Sequence, residues 1–372
     1  MSAPLEGLKV VELARILAGP WIGQTLADLG ADVLKVEAPA GDDTRRWGPP
    51  FVEREGDRSA AYYYATNRGK RLMVCDFADA GQLAALKAEI AEADVVVENF
   101  KVGGLRRFGL DYESLAATNP RLVYASITGF GQTGPKAHLP GYDLLIQGAC
   151  GIMDLTGEAE GDPQKVGVAW VDILTGLYGV IGIQSALAER ARSGIGQHVD
   201  LALMDCAVAA MANQAMNFLV TGRAPRRMGN EHPNIAPYQV FPASDGHVII
   251  ACGNDRQFQA LCAHLDLPDL AADPRYATNP DRVAHRETLI PMLAAATRRF
   301  DRGALVALLE AAGVPGGPIN TVGDAVVDPQ VAARGLVVHP EGIAGLRTPL
   351  SFSRSHLTLA RSAPPLTTKG GD

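Results

Sequence analysis

The sequence lacks the cysteine patterns that hold metal ions or disulfide frameworks. Its five cysteines show no C-x-x-C pair and no Cys/His spacing typical of metal ligands; they are Cys75, Cys150, Cys206, Cys252 and Cys262. Scattered cysteines of this kind are typical of buried, reduced thiols. We therefore predict no metal site and a protein of a reducing compartment.

The chain also lacks an excess of positive charge, a secretory start and a long membrane-spanning run. Its net charge of −7 argues against nucleic acid or an anionic membrane as the main partner. The first residues, MSAPLEGLKVVELA, contain no basic segment followed by an apolar one, so we expect no signal peptide and a cytoplasmic location. The longest uncharged apolar run, residues 173–188, has 16 residues, which predicts a core helix.

What the sequence does have is a regular alternation of β-rich and helical segments. Strands are predicted at LKVVELA, ADVLKVE, LMVCDF, DVVVEN and LVYASI, with helices between them, such as residues 81–93. Repeated β-α-β units form mostly parallel sheets with helices on both faces, and ligands bind at the carboxyl ends of the strands. The predicted fold class is α/β, with a large Rossmann-like domain and a smaller α/β domain.

The predicted domain boundary follows a helical segment. Residues 169–191 are predicted as a buried helix, followed by a strand at HVDLALM and one helix over residues 206–220. Residues 222–239 are rich in Gly, Pro, Arg and Asn, which is typical of a linker. We predict a large domain at residues 1–221, a small domain at 222–330 and a segment at 331–372 that returns to the large domain.

A dinucleotide-binding enzyme is a natural alternative for a chain that begins with β-α-β. Glu37 ends the second predicted strand, where such enzymes place a ribose-binding acid. However, the turn after the first strand, ARILAGPWIG, lacks the G-x-G-x-x-G pattern that admits a pyrophosphate. This alternative is therefore disfavoured.

Longer segments resemble one enzyme family along nearly the whole chain. PLEGLKVVELARILAGP, GDDTRRWGPPF, LRRFGLDYESLAATNPRLVYASITGFGQTGP and GYDLLIQGACGIMDLTG are similar to the family III CoA-transferases, the group of formyl-CoA and carnitine CoA-transferases. The segments GVAWVDILTGLYG and HPNIAPYQVFPASDGHVIIACGNDRQF are most similar to the glutarate-type branch, which moves CoA between dicarboxylic acids. The resemblance implies the family fold, with two subunits interlocked in a homodimer.

The resemblance implies that Asp172 is the catalytic nucleophile. The expected reaction moves CoA from an acyl-CoA, such as succinyl-CoA, to a free carboxylic acid through an aspartyl anhydride and an aspartyl-CoA thioester. A carboxylate suits this reaction because its anhydride retains the energy of the thioester. Coenzyme A is then a substrate, and no permanently bound cofactor is expected. We expect the start of a helix to keep Asp172 ionised, although an aspartate there is also typical of a helix N-cap.

The resemblance also implies residues that contact coenzyme A. Asn99, Phe100, Arg107 and Phe108 lie just beyond a predicted strand, and Tyr142 is expected to line the thioester pocket. Paired arginines are also common on solvated helix faces, and a tyrosine is often a buried core residue. Two family contacts are missing, since alanine stands at position 38 and proline at position 140.

A loop after a predicted strand of the small domain is the second expected part of the site. Gly253 and Asn254 lie where the family has a glycine-containing loop over the active site, so their amides are expected to support tetrahedral intermediates. An ordinary turn at a strand end is the simpler alternative.

A dicarboxylate acceptor needs a cation for its second carboxylate. The candidates are Arg15, Arg45 and Arg46, because arginine pairs with carboxylates through two hydrogen bonds. Arg15 is preferred because it follows the first strand, and His232 is a further candidate for this pocket.

Two alternatives remain for the activity. A 2-methylacyl-CoA racemase of the same family uses a histidine at the position of Tyr142, and a tyrosine with an ordinary pKa near 10 is a poor base. A non-catalytic CoA-binding protein would follow if Asp172 were not at the site. Gly176, Gly179 and Gly182 in the same segment are predicted to allow close helix packing.

Overall fold

The computed structural model describes residues 2–366, which form two compact units. The first unit contains residues 2–152, 165–223 and 329–366, and the second contains residues 153–164 and 224–328. We retain 1–221, 222–330 and 331–372 as a proposal for the folding domains. Residues 367–372 of the predicted last segment lie outside the described residues.

The first unit is built on a six-stranded parallel sheet. The strands up to the second unit are β1 (Lys9–Glu12), β2 (Asp32–Glu37), β3 (Phe51–Arg54), β4 (Asp57–Ala60), β5 (Arg71–Val74), β6 (Val95–Glu98), β7 (Val123–Thr128) and β8 (His198–Ala202). The sheet order is β5-β2-β1-β6-β7-β8, and every pair in it is parallel, which confirms the predicted α/β class. The strand order reverses between β1 and β6, and such switch points are where α/β sheets bind ligands.

Helices cover both faces of this sheet. The helices of this unit are α1 (Ala18–Asp28), α2 (Ala61–Tyr64), α3 (Ala80–Ala91), α4 (Tyr112–Ala116), α5 (Asp143–Cys150), α7 (Trp170–Ser193), α8 (Leu203–Ala209) and α9 (Ala212–Thr221), with short 3-10 turns at Asp43–Arg46 and Arg106–Phe108. The short helix α6 (Ile152–Leu155) lies almost entirely in the second unit. Val95 and Val97 pack with α1 and α7, whereas Val96 faces α3 on the other side. Successive strand residues point to opposite faces, so a continuous valine run suits a strand buried on both sides.

Two helix predictions differ from the structure. The sequence after the Gly/Pro turn predicts a helix from about Trp21 to Leu29, whereas α1 begins at Ala18, because Pro20 falls in the first turn, where a missing amide costs no helical hydrogen bond. The single helix expected over residues 206–220 is two helices bent by 76°, with Ala212 at a φ of 42°.

Helix α7 has one buried face and one exposed face. By length and composition it could cross a membrane, but core helices of soluble proteins meet the same test. Its glycines face α1 and β8: the buried Gly176 lies against Ala18 and Trp21, the buried Gly179 against Ile22, and the partly buried Gly182 next to β8. The predicted role in close helix packing is confirmed for Gly176 and Gly179, whereas Gly182 packs on a strand.

A buried group of charged residues fixes the loop after β1. Lys35 Nζ donates to Glu12 at 3.2 Å and to Asp42 at 3.0 Å, and Lys70 Nζ lies 2.8 Å from the other oxygen of Glu12. Asp42 in turn accepts the amide of Ile16 at 3.3 Å. Ile16 has a φ of 72°, which is unfavourable for a branched side chain, so its neighbours must hold it in place.

The second unit has a separate antiparallel sheet and core. Its elements are β9 (Tyr238–Ala243), β10 (Gly246–Ala251), β11 (Gly316–Pro318), α10 (Asp255–His264), α11 (Pro268–Ala272), α12 (Asn279–Ala284), α13 (Arg286–Thr297), α14 (Arg302–Ala312) and α15 (Val322–Val327), with a 3-10 turn at Pro274–Tyr276. β10 pairs with both β9 and β11, and Phe241 and Phe258 lie in the core. The chain then returns to the first unit with α16 (Pro329–Ala333), β12 (Val337–Val338), a 3-10 turn at Pro340–Gly342 and β13 (Gly345–Leu346).

Candidate active site

Asp172 is the third residue of α7 and is partly buried. The N-cap position belongs to Ala169, whose side chain makes no capping hydrogen bond. The alternative that Asp172 caps this helix is therefore wrong. Its carboxyl group is left for another role.

A different carboxylate caps the start of α7. Asp143, the first residue of α5, accepts the amide of Val171 at 2.8 Å and the amide of Asp172 at 3.3 Å through Oδ1. Its other oxygen accepts from Gln147 Nε2 at 2.6 Å. Two of the first-turn amides of α7, which have no partner within the helix, are thus bonded to a negative group. The positive end of the helix dipole therefore stabilises a charge on Asp172 less strongly.

Burial, and then the charge of Asp143, raises the pKa of Asp172 to about 7. The expectation that the helix start keeps this residue firmly ionised is wrong, because burial disfavours the anion and Asp143 occupies the amides. A carboxylate with this pKa is a stronger base than an ordinary aspartate. Perturbed pKa values of this kind are common at functional sites.

Tyr62 is a site residue that the sequence analysis missed. Burial raises the pKa of Tyr62 to about 12, and the charges of Asp172, Asp143 and Asp42 add to this effect. The hydroxyl therefore stays protonated and can donate a hydrogen bond near Asp172 and Asp143. The ring of Trp47 meets the Tyr62 ring edge-on at 5.4 Å. Three tyrosines stand in a row at AYYY, and the sequence contains nothing that distinguishes the one near Asp172.

The turns after β1 and β6 are joined by a reciprocal pair of hydrogen bonds. Asn99 Oδ1 accepts the Arg15 amide at 3.0 Å, and Asn99 Nδ2 donates to the Arg15 carbonyl at 2.7 Å. The Arg15 guanidinium lies 5.7 Å from the centre of the Phe100 ring and pairs with Asp43 at 3.3 Å. The structure therefore brings the predicted residues Arg15, Asn99 and Phe100 together at the switch point of the sheet.

An aromatic cluster lies beside this turn. Phe77 packs between Phe100, at a ring distance of 6.1 Å, and Phe108, at 5.3 Å. Arg107 is exposed and its guanidinium lies 4.5 Å from the Phe108 ring. Partly buried aromatic rings next to an exposed cation suit an adenine ring and a phosphate.

Tyr142 is exposed to 67%, so the alternative that it is a buried core residue is wrong. It is the residue before Asp143, at the N-cap of α5. The next residue in the chain thus contacts the backbone of Asp172.

Arg45 occupies a buried ion-pair group and not an open pocket. Its guanidinium donates two hydrogen bonds of 2.8 Å to Glu37, pairs with Asp57 at 3.2 Å and lies 3.7 Å from the Tyr63 ring. Its role as a substrate ligand is therefore corrected to a structural one. Glu37 is equally committed and is not available to a ribose.

The predicted residues of the second unit make local bonds. The Gly253 amide donates to Gln257 Oε1 at 2.8 Å, and Asn254 Oδ1 caps α10 by accepting the Gln257 amide at 3.0 Å. His232 accepts the Asn234 amide at 3.1 Å, and burial together with Arg286 lowers the pKa of its ring. An oxyanion could use the Gly253 amide only if Gln257 released it.

The geometry defines an α/β protein with a high-pKa carboxylate near the carboxyl edge of a parallel sheet. The sequence model of the family described as CoA-transferase family III matches residues 5–369. The chain belongs to this family of enzymes.

Individual relatives agree with this assignment. A succinate–glutarate CoA-transferase of Agrobacterium fabrum is 53% identical, over 98% of this chain and 93% of that protein. An acetyl-CoA:oxalate CoA-transferase of Acetobacter aceti is 42% identical, over 95% and 90% of the two chains. The crystal structure of a CAIB/BAIF family protein from Brucella suis has a TM-score of 0.89 at 60% identity, covering 98% of this chain and 96% of that one.

Proposed function

We propose that this enzyme transfers CoA from succinyl-CoA to glutarate, with Asp172 as the nucleophile. The main supporting observation is the partly buried Asp172 carboxyl group, whose pKa is raised to about 7 at the start of a helix capped by another acid. The 53% identity to a succinate–glutarate CoA-transferase supports the choice of donor and acceptor. The relative named for oxalate makes oxalate the main competing acceptor.

The proposed reaction has four exchange steps. Asp172 attacks the succinyl carbonyl, the C–S bond breaks and CoA thiolate leaves a succinyl-aspartyl anhydride. The thiolate attacks the aspartyl carbonyl, releasing succinate and forming an aspartyl-CoA thioester. Glutarate then attacks this thioester, and the released thiolate attacks the glutaryl carbonyl, which yields glutaryl-CoA and restores the Asp172 carboxylate.

Other residues are proposed to bind and orient the substrates. Asn99, Phe100, Arg107, Phe108 and Tyr142 would hold coenzyme A, which is a substrate and not a resident cofactor. This arrangement is supported by the aromatic cluster and the exposed Arg107 cation.

The remaining proposed roles concern the acceptor and the intermediates. The exposed Arg15 would pair with the second carboxylate of the acceptor, and the protonated Tyr62 would donate to oxygens that become negative. Gly253 and Asn254 would stabilise the tetrahedral intermediates once Gln257 had released them. His232 would contact the acceptor acid.

We also propose a cytoplasmic homodimer whose subunits interlock as the resemblance implies. Helix α7 exposes the apolar side chains of Leu177, Tyr178 and Ile181. On α9, Leu219 and Val220 are each more than 70% exposed. Apolar side chains clustered on two long helices favour an interface with a second copy of the chain.

A transfer assay with a matched variant tests this function. Purified protein is mixed with succinyl-CoA and equal amounts of glutarate, oxalate and acetate, and new CoA esters are identified by mass spectrometry. We expect glutaryl-CoA from the natural protein, none from Asp172→Asn, and normal amounts from Asp205→Asn. Asp205 is a suitable control because it is the third residue of α8, whose N-cap residue is also an alanine that makes no capping hydrogen bond.

The alternative activities are distinguished by a second assay, in which the protein is incubated with a 2-methylacyl-CoA in heavy water. A racemase would form no new ester in the first assay but would introduce deuterium into the 2-methylacyl-CoA in the second. A non-catalytic binding protein would give neither product. Transfer retained in Asp172→Asn would exclude the proposed nucleophile.

A further inference from the structure

Glu98 is a buried acid that the proposed reaction does not use. It ends β6, is 5% exposed, and accepts the backbone amide of Phe100 through Oε2 at 2.7 Å. Its other partner is the hydroxyl of Ser126 on the neighbouring strand β7. The carboxyl group therefore holds the turn that contains Asn99 and Phe100.

A short chain of hydrogen bonds leads from this acid across the sheet. Ser126 Oγ lies 2.8 Å from His198 Nε2 on β8, and the His198 ring stacks on Tyr112 at 5.2 Å. A serine hydroxyl has one proton, so it can donate either to Glu98 or to His198 but not to both. The protonation state of Glu98 thus determines which way this hydroxyl points.

Burial has the largest effect on both ends of this chain. It raises the pKa of Glu98 to about 7, against the opposing effects of the Ser126 and Phe100 bonds, and lowers the pKa of His198. Near neutral pH, Glu98 is therefore present in both charged and neutral forms, whereas His198 is mostly neutral.

The hydrogen-bonded residues Glu98, Ser126 and His198 line a cavity of about 190 Å³ on the face of the sheet away from α7. The titratable groups that share this cavity with Glu98 are Tyr112, Tyr124, His198, Lys101, Arg106, Asp111 and Glu113. The cavity allows protons to reach Glu98 without passing through the Asp172 site. Glu98 and Asp172 are thus separate titrating groups.

We propose that Glu98 is a positioning residue for acyl-CoA, whose carboxylate fixes the Phe100 amide and with it the turn that presents Asn99 and Phe100 to coenzyme A. This inference rests on the proposed function, because it takes these two residues as CoA contacts. A carboxylate accepts a hydrogen bond about twice as strongly as a neutral group. Protonation of Glu98 would loosen the turn and leave it less ordered before binding, which lowers affinity.

The inference predicts a pH dependence of binding that is separate from catalysis. The dissociation constant of free CoA is measured by calorimetry across neutral pH on the natural protein and on Glu98→Gln. Glutamine still accepts the Phe100 amide but has no charge to lose. We expect affinity to rise about fivefold with pH in the natural protein relative to Glu98→Gln. The comparison cancels the titration of CoA itself.

Two further variants make the test specific. Glu113→Gln removes an exposed carboxylate of the same cavity that does not bond Phe100, so it should bind CoA as the natural protein does. Ser126→Ala removes a bond that lowers the pKa of Glu98, so the rise in affinity should move to higher pH. Ser126→Ala also serves if Glu98→Gln does not fold.

Each outcome decides between the possibilities. Parallel pH curves for the natural protein and Glu98→Gln would overturn the inference alone, as would an equal effect of Glu113→Gln. An unmoved curve in Ser126→Ala would overturn it too. Absence of CoA binding by the natural protein at every pH would overturn the proposed function together with the inference.

Discussion

At the scale of single residues, the chemistry of Asp172 depends on a second carboxylate, Asp143 of α5, which lies against the start of α7. Asp143 takes the amides of Val171 and Asp172, so Asp172 loses much of the stabilisation that a helix start can give. The resulting pKa of about 7 combines a basic nucleophile with substantial ionisation at neutral pH.

The first prediction concerns the pH profile of Asp143→Asn. Asparagine can still accept the two amides but removes the negative charge that raises the pKa of Asp172. The reaction needs the carboxylate form, so the midpoint at which kcat rises with pH should move from about 7 to a lower value. The measurement is kcat against pH, with Asp205→Asn as the control and thermal unfolding to detect loss of the Gln147 bond. An unmoved or higher midpoint would show that Asp143 does not tune the nucleophile.

The second prediction separates two arginines that share a partner. Arg15 and Arg46 both pair with Asp43, at 3.3 and 2.9 Å, and both are largely exposed. Arg15→Ala should raise the KM for glutarate about tenfold and leave the KM for a monocarboxylate unchanged, because a charged hydrogen-bonded pair is lost. Arg46→Ala should change neither KM. Equal effects of the two variants would remove Arg15 from the proposed substrate site.

The positions of site residues could be predicted from the sequence only where a long motif identified them, and their roles stay predictions. Asp172, Asn99 and Phe100 fall in such motifs, and the structure places the last two in one turn beside Arg15. The burial of Arg45 and the proximity of Tyr62 to Asp172 depend on tertiary packing, which local sequence does not specify.

At the scale of secondary-structure elements, α7 is positioned by its contact with α1. Gly179 allows this approach, because an added Cβ would overlap Cδ1 of the fully buried Ile22 and lie 3.2 Å from Leu201 Cδ1. Asp172 lies about two turns earlier on the same helix, so the packing of α7 on α1 also helps to position it.

The third prediction is that Gly179→Ala destabilises the protein. Alanine favours a helix by about 1 kcal/mol over glycine, but overpacking a tight core typically costs about 1–3 kcal/mol. We expect a net loss in the free energy of unfolding, measured by urea denaturation. Gly167→Ala is the control, since its Cβ would meet no atom within 4 Å. Equal or greater stability of Gly179→Ala would contradict the packing argument.

Strand and helix order could be predicted well where the periodicity is strong. The six sheet strands were predicted from their β-rich segments, and each appears in the structure. The hairpin of β3 and β4 was missed because its turn, Glu55-Gly56, places a glutamate at a φ of 52°, which is uncommon for that residue. The bend between α8 and α9 has no glycine or proline to indicate it.

At the scale of the whole molecule, the exposed apolar faces of α7 and α9 favour association. Ile181 is exposed to 60% and lies near the middle of α7. One subunit shows which of its faces are apolar, but the way in which two subunits pack depends on both of them.

The fourth prediction is that Ile181→Glu weakens the dimer. A charge at the centre of an apolar interface is costly to bury, so light scattering after gel filtration should show a dimer for the natural protein and a monomer for the variant. Val322→Glu is the control, because Val322 is 83% exposed but lies in the second unit. A monomeric natural protein, or a variant that remains dimeric, would contradict the proposed interface.

The central claim is that Asp172 forms the covalent intermediate, and oxygen transfer tests it most directly. In the proposed steps, the bridging oxygen of the second anhydride comes from glutarate and stays on Asp172. The protein is turned over with succinyl-CoA and glutarate labelled with heavy oxygen, and the tryptic peptide of residues 166–190 is sequenced by mass spectrometry. This peptide contains only two side-chain carboxylates, Asp172 and Glu189. We expect label on Asp172, none on Glu189, and none without succinyl-CoA. Formation of glutaryl-CoA with no label on Asp172 would contradict it.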